Sequence, residues 1–144
     1  MKVLFIGLGS IGQRHLRNLV QILGDRVDIL AVRTKRSVPD LTSGDGGAGK
    51  GDLKARFDIC EFETLEDGLK EKPDVVFVTN PSGLHLATAQ AAVYAGCHVF
   101  IEKPLSSSED GIDELITAAG RQGSRILVGY QFRFHPALNE VKAL

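Results

Sequence analysis

Two glycine-rich runs have the composition to cradle a phosphate. Near the start, IGLGSIGQRH places Gly7, Gly9 and Gly12 at the spacing G-x-G-x-x-G, while GDGGAGKG (Gly44 to Gly51) nearly spells G-x-x-x-x-G-K-[ST]. In the second run Gly51 stands where a hydroxyl would have to hold magnesium, and no convincing apolar strand leads into it. The first run directly follows the β-prone KVLFI and directly precedes a helical pattern. In that context the first glycine allows a tight turn, the second lets a pyrophosphate approach the backbone, and the third lets helix and strand pack closely. Gly7, Leu8, Gly9, Ser10, Ile11 and Gly12 therefore form the candidate phosphate cradle, with free N–H groups at the positive end of a helix dipole. GDGGAGKG is read as a surface loop whose Lys50 lends at most a loose charge.

The elements that must position this cradle follow from periodicity. Lys2 to Ile6, Val27 to Val32, Asp74 to Val78, His98 to Ile101 and Arg125 to Val128 are short, continuously apolar runs, as in strands buried on both faces, and Phe57 to Cys60 adds a brief apolar stretch. Between them lie helical patterns: Ile11 to Leu23 closed by Gly24, a short helix opened by Thr64 with Asp67 three residues on, an alanine-rich helix over Gly83 to Ala95, and another over Glu109 to Arg121. Pro136 can open a last helix. Strands alternating with helices predict an α/β fold, a doubly wound parallel sheet of the Rossmann type.

In a dinucleotide site of this kind, cofactor choice is made at the end of the second strand, where a carboxylate would bind the ribose 2′-hydroxyl of NAD. This sequence has Arg33 there, followed by Thr34, Lys35 and Arg36. A guanidinium can pair with a 2′-phosphate that a carboxylate would repel. Arg33, Thr34 and Lys35 thus point to NADP(H), with NAD(H) the alternative and a merely solvated basic turn the bland reading.

Two further strand ends carry polar punctuation, Thr79-Asn80-Pro81 and Glu102-Lys103-Pro104. Together, GLGSIGQRH (Gly7 to His15), DVVFVTNPSGLH (Asp74 to His85), AGCHVFIEKPLS (Ala95 to Ser106) and VGYQFRFHP (Val128 to Pro136) resemble the Gfo/Idh/MocA oxidoreductases, the family of glucose-fructose oxidoreductase and inositol dehydrogenase. The resemblance implies that Lys103 is catalytic, polarising the reacting hydroxyl or carbonyl. It further implies that Glu102 shapes the nicotinamide pocket, that Pro104 follows a cis bond, and that Thr79, Asn80 and Pro81 pass beside the cofactor. His85 matches a family position near the cofactor, although a histidine early in a helix also suits packing or capping, as His15 does. Arg14 could approach the pyrophosphate. Tyr130 and Arg133 match positions facing the substrate cleft, whereas Gln131 departs from the family's usual Asn.

The family adds a second α/β domain that supplies most of the substrate pocket and the oligomer interface. Residues 1–130 are expected to form the dinucleotide-binding domain and 131–144 to begin a connection to that absent domain, since HPALNEVKAL reads as an unfinished helix. The function implied is hydride transfer between NAD(P) and a hydroxyl or ketone carbon of a sugar, cyclitol or related small molecule, with poor activity in this chain alone. A non-catalytic NAD(P)H sensor is the alternative. A homo-oligomer is expected of the full-length protein, and non-native association of this chain through exposed apolar surface. With 17 Lys plus Arg against 18 Asp plus Glu, nothing suggests a nucleic-acid or membrane surface. Cys60 and Cys97 lack metal-ligand spacing, so no metal is expected and two reduced thiols suit a cytoplasmic protein.

Overall fold

The computed structural model describes residues 1–33 and 52–144. Six strands, β1 (Lys2–Ile6), β2 (Asp28–Val32), β3 (Cys60–Phe62), β4 (Val75–Val78), β5 (His98–Glu102) and β6 (Ile126–Gly129), form one sheet in the order β3-β2-β1-β4-β5-β6. Every pairing is parallel. The sheet order reverses between β1 and β4, which opens a crevice at their carboxyl ends, the place where such sheets bind ligands. This is the doubly wound α/β fold that the alternating periodicities predict.

The helices are α1 (Ser10–Leu23), α2 (Leu53–Phe57), α3 (Leu65–Lys70), α4 (His85–Tyr94), α5 (Ile112–Gln122) and α6 (Pro136–Ala143). Because side chains alternate along a strand, Val3 and Phe5 of β1 face one layer and Leu4 and Ile6 the other. Val3 and Phe5 join Leu16 of α1 and Leu53 of α2 in one core cluster. Leu4 and Ile6 join Ala89, Ala92 and Val93 of α4 and Leu115 of α5 in the other. The alanines of α4 let that helix lie close over the sheet. Thr64 caps α3 as its spacing predicts, its hydroxyl accepting from the Asp67 amide at 3.1 Å.

On the α1 side, cover thins toward β6: Leu127 is exposed, as are Tyr130, Phe132, Phe134, Leu138 and Val141 beyond it. Among the described residues no helix is long and apolar enough to cross a membrane, and no cluster of His, Cys, Asp or Glu is arranged to hold a metal ion.

Both cysteines are free thiols, Cys60 exposed on the edge strand and Cys97 buried. Burial, and after it the Asp74 carboxylate, push the Cys97 thiol above its ordinary value. Iodoacetamide is therefore expected to label Cys60 in the native protein and Cys97 only when the fold opens. Leu16→Ala empties a fully buried site, at a cost of about 3 kcal/mol. It should speed Cys97 labelling by roughly a hundredfold if both core clusters open together; an unchanged rate would mean that they open separately.

Candidate dinucleotide site

The cradle is built by close backbone approach. Gly7 turns the chain with φ +93, and a side chain there would also press on the Thr79 carbonyl oxygen, 3.0 Å from where its Cβ would lie. A Cβ on Gly12 would collide with the Gly7 carbonyl and meet the Thr79 hydroxyl at 2.9 Å. Gly9 differs: among the described residues nothing beyond its chain neighbours lies within 4 Å of where its Cβ would stand. It is the N-cap of α1, and among the described residues no side chain caps the helix, so the first-turn N–H groups, Ser10 and Ile11 among them, are left for an anion to take up. Gln13, fully buried, supports the loop from below by donating to the Leu8 carbonyl at 3.1 Å.

Beside this cradle lies a crevice of about 540 Å³, lined among others by Gly7, Gly9, Arg33, Thr79, Asn80 and Pro81. Thr79 closes its floor, its hydroxyl donating to the Gly7 carbonyl. The Asn80 amide donates to the Thr88 hydroxyl at 3.0 Å, while its Oδ1 is buried with no hydrogen-bond partner among the described residues. A buried polar atom left unpaired costs stability unless something supplies a donor. The nicotinamide dinucleotide that the glycine pattern implies would supply an anion for the helix end that Gly9 leaves uncapped, where a side chain on Gly7 or Gly12 would not fit, so the residues present fit that group. At the β2 end of the crevice Arg33 holds an ion pair with Glu61 of β3. Thr34, Lys35 and the run Gly44 to Gly51 lie outside the described residues.

The Glu102-Lys103-Pro104 turn is tied down from three directions. Glu102 Oε1 is 2.7 Å from His15 Nε2, and its Oε2 accepts from the Lys103 amide at 3.1 Å. The His15 ring also packs edge-on against Phe100, centroids 4.8 Å apart. His85, only 2% exposed, lies 2.7 Å from the Pro104 carbonyl through Nδ1 and 2.8 Å from the Asn80 carbonyl through Nε2. Its ring nitrogens are thus engaged by the protein, and its influence on the crevice runs through Asn80 and Pro104. The Lys103–Pro104 bond is cis. Lys103 itself is exposed, and among the described residues no ion pair is made by its ammonium. Arg14 lines, with His15, Glu102, Tyr130 and Arg133, a second hollow of about 590 Å³ on the β6 side rather than the cradle.

Several of these contacts have no counterpart in the sequence reading: Gln13 under the loop, Glu61 on Arg33, Thr88 on Asn80, and the His15–Glu102 pair. Only Gln13 carried a local signal, as a polar residue on the inward face of an amphipathic helix.

The glycines are separable by substitution. Gly9→Ala places a methyl clear of the other described residues at an extended backbone conformation (φ -67), so thermal stability should fall only by the cost of alanine in place of glycine at an N-cap, about 1 kcal/mol or less. Dinucleotide affinity, measured by calorimetric titration, should drop by about tenfold or more. Gly12→Ala should instead cost about 2 kcal/mol or more through overpacking. Unchanged dinucleotide affinity in Gly9→Ala would mean that the space at Gly9 is not a ligand's.

Comparison with known proteins agrees with this geometry. Residues 1–130 match the family model described as "Oxidoreductase family, NAD-binding Rossmann fold". The chain is 30% identical, over its whole length, to inositol 2-dehydrogenase 3 of Saccharopolyspora erythraea, covering 40% of that protein. It is 33% identical to the UDP-N-acetylglucosamine 3-dehydrogenase of Acidithiobacillus ferrooxidans, covering 99% of this chain and 41% of the relative. Among solved structures, the WlbA dehydrogenase from Bordetella pertussis, in complex with NADH and UDP-GlcNAcA, superposes with a TM-score of 0.81 at 26% identity, over 99% of this chain and 41% of that one. The chain thus spans about two fifths of the length of these relatives. With the glycine cradle, the parallel strand order and the family match over residues 1–130 in agreement, the chain belongs to the Gfo/Idh/MocA oxidoreductase family, of which it carries the NAD-binding Rossmann fold.

Proposed function

We propose that this chain is the cofactor-binding part of an NAD(P)-dependent dehydrogenase acting on a hydroxyl or ketone carbon of a sugar, cyclitol or related small molecule. The observation that carries the reading is the helix end at Gly9, uncapped by any side chain among the described residues, on a crevice that Arg33, Thr79, Asn80 and Pro81 also line. The bound dinucleotide would supply or accept the hydride. This chain's residues do the rest. Gly7 to Gly12 hold the pyrophosphate through backbone N–H groups, and Thr79, Asn80 and Pro81 flank the cofactor. Glu102 fixes the start of the Lys103 turn, and the Lys103 ammonium donates a hydrogen bond to the reacting oxygen, stabilising negative charge as it develops there. Arg133 meets the substrate from the β6 side.

At the adenine end Arg33, with Thr34 and Lys35 following in sequence, favours NADP(H) over NAD(H), because a guanidinium binds a 2′-phosphate in bidentate fashion. The relatives named above are dehydrogenases of inositol and of UDP-N-acetylglucosamine, which supports a sugar-like substrate and gives a non-catalytic sensor no support. A cytoplasmic location and a homo-oligomeric full-length enzyme complete the proposal. The exposed apolar band from Leu127 to Val141 would drive self-association of this chain, which is expected to turn over poorly without a substrate domain.

Lys103→Ala is the test of mechanism. It should leave dinucleotide affinity within about twofold, while lowering the hydride-transfer step of a full-length enzyme carrying this domain by roughly a hundredfold or more in single-turnover kinetics. Unchanged single-turnover rates would remove Lys103 from the chemistry.

A further inference from the structure

Glu61 is a specificity-determining residue, we infer: as the resident counter-ion of Arg33 it limits how strongly the site prefers a 2′-phosphorylated dinucleotide. The inference rests on the reading that Arg33 meets the 2′ position. Parallel pairing puts Ala31 opposite Glu61 and Val32 opposite Phe62, and the Arg33 amide donates to the Phe62 carbonyl at 3.1 Å. The last residue of the β2 end is therefore held alongside the edge strand. Arg33 and Glu61 side chains are only 17% and 26% exposed, and Arg33 Nη1 donates to Glu61 Oε1. The other carboxylate oxygen, Oε2, is 4.0 Å from Lys54 Nζ at the start of α2. Arg33 also lines the crevice, so the pair stands where the adenosine ribose of a dinucleotide held by the Gly7–Gly12 cradle would reach.

A guanidinium carries its donors in a fixed fork that matches one carboxylate or one phosphate at a time along each edge. A 2′-phosphate must therefore share Arg33 with Glu61 or displace it, and in either case it approaches a carboxylate of like charge. The separation is well inside the ~8 Å Debye length at physiological salt, so the repulsion is not screened away. A neutral 2′-hydroxyl meets no such repulsion and can donate to the carboxylate. Glu61 thus weakens NADP(H) selectively, and the Arg33–Glu61 pair makes the site more permissive toward NAD(H) than Arg33 alone would be.

The test is titration of NADPH and NADH into this 144-residue chain and into its Glu61→Gln, Arg33→Gln and doubly substituted forms, at low and physiological salt. Glu61→Gln is expected to tighten NADPH by about tenfold and move NADH by about twofold or less, with a larger gain at low salt. In the Arg33→Gln background the part of that gain that comes from freeing the guanidinium should vanish, while the part that comes from relieving repulsion should remain, so the same change should still tighten NADPH. If Arg33→Gln lowers the NADPH preference but Glu61→Gln leaves the ratio unchanged, the inference about Glu61 is wrong and the reading of Arg33 survives. If Arg33→Gln leaves the ratio unchanged, Arg33 does not meet the 2′ position and both readings fall. Glu61→Ser serves as a second charge-removing variant should the glutamine form fold poorly, and it must shift the ratio in the same direction.

Discussion

The close approach of α1 to the end of β1 is the constraint on which this molecule depends. Gly12 sits so near the Gly7 carbonyl that no side chain fits between them, and the Thr79 hydroxyl seals the same contact from β4. That contact joins three elements with one backbone approach: the first strand, the first helix and the strand across the reversal of sheet order. It fixes the direction of the helix end, and with it the N–H groups that open at Gly9. A helix dipole orients an anion only if its aim is fixed, and here packing supplies that rigidity.

A second set of ties reaches from this contact to the turn that carries Lys103. Glu102 joins α1 through His15 and restrains its own following amide. His85 joins the Asn80 and Pro104 carbonyls across the gap between β4 and β5. The lysine is exposed while the residues before and after it are held, an arrangement that leaves a long side chain free to reach a ligand from a fixed root. The division of labour is physical: glycines and buried polar groups set position, while the cations at the two ends differ in setting, Arg33 largely buried and paired with Glu61 and Lys103 exposed.

Much of this was legible in the sequence where the determining pattern is local. The continuous apolar runs at Lys2 to Ile6 and Asp74 to Val78, the glycine turn between strand and helix, and the Thr64–Asp67 cap all depend on neighbours within a few residues, and their elements appear where spacing puts them. The α2–β3 region was less legible. Its strand is the three-residue Cys60–Phe62 at the sheet edge, too short and too polar for periodicity to find, so the placement of Glu61 beside Arg33 could not be read. The His15–Glu102 pair bridges 87 positions, and nothing in either local sequence announces the other. His85 shows the limit from another side: its position near the crevice was readable, but its carbonyl partners depend on how two loops meet.

Whether the crevice between the β1 and β4 ends receives a nicotinamide dinucleotide is tested most directly by mapping the ligand onto the backbone. In a ¹H–¹⁵N correlation titration of this chain with NADPH, the amides of Gly7 to Gly12, Arg33, Thr79 and Asn80, and Lys103 should shift together and saturably, while α5 amides stay in place. Shifts that avoid the Gly7–Gly12 loop, or no saturable shift at all, would contradict the assignment of this site.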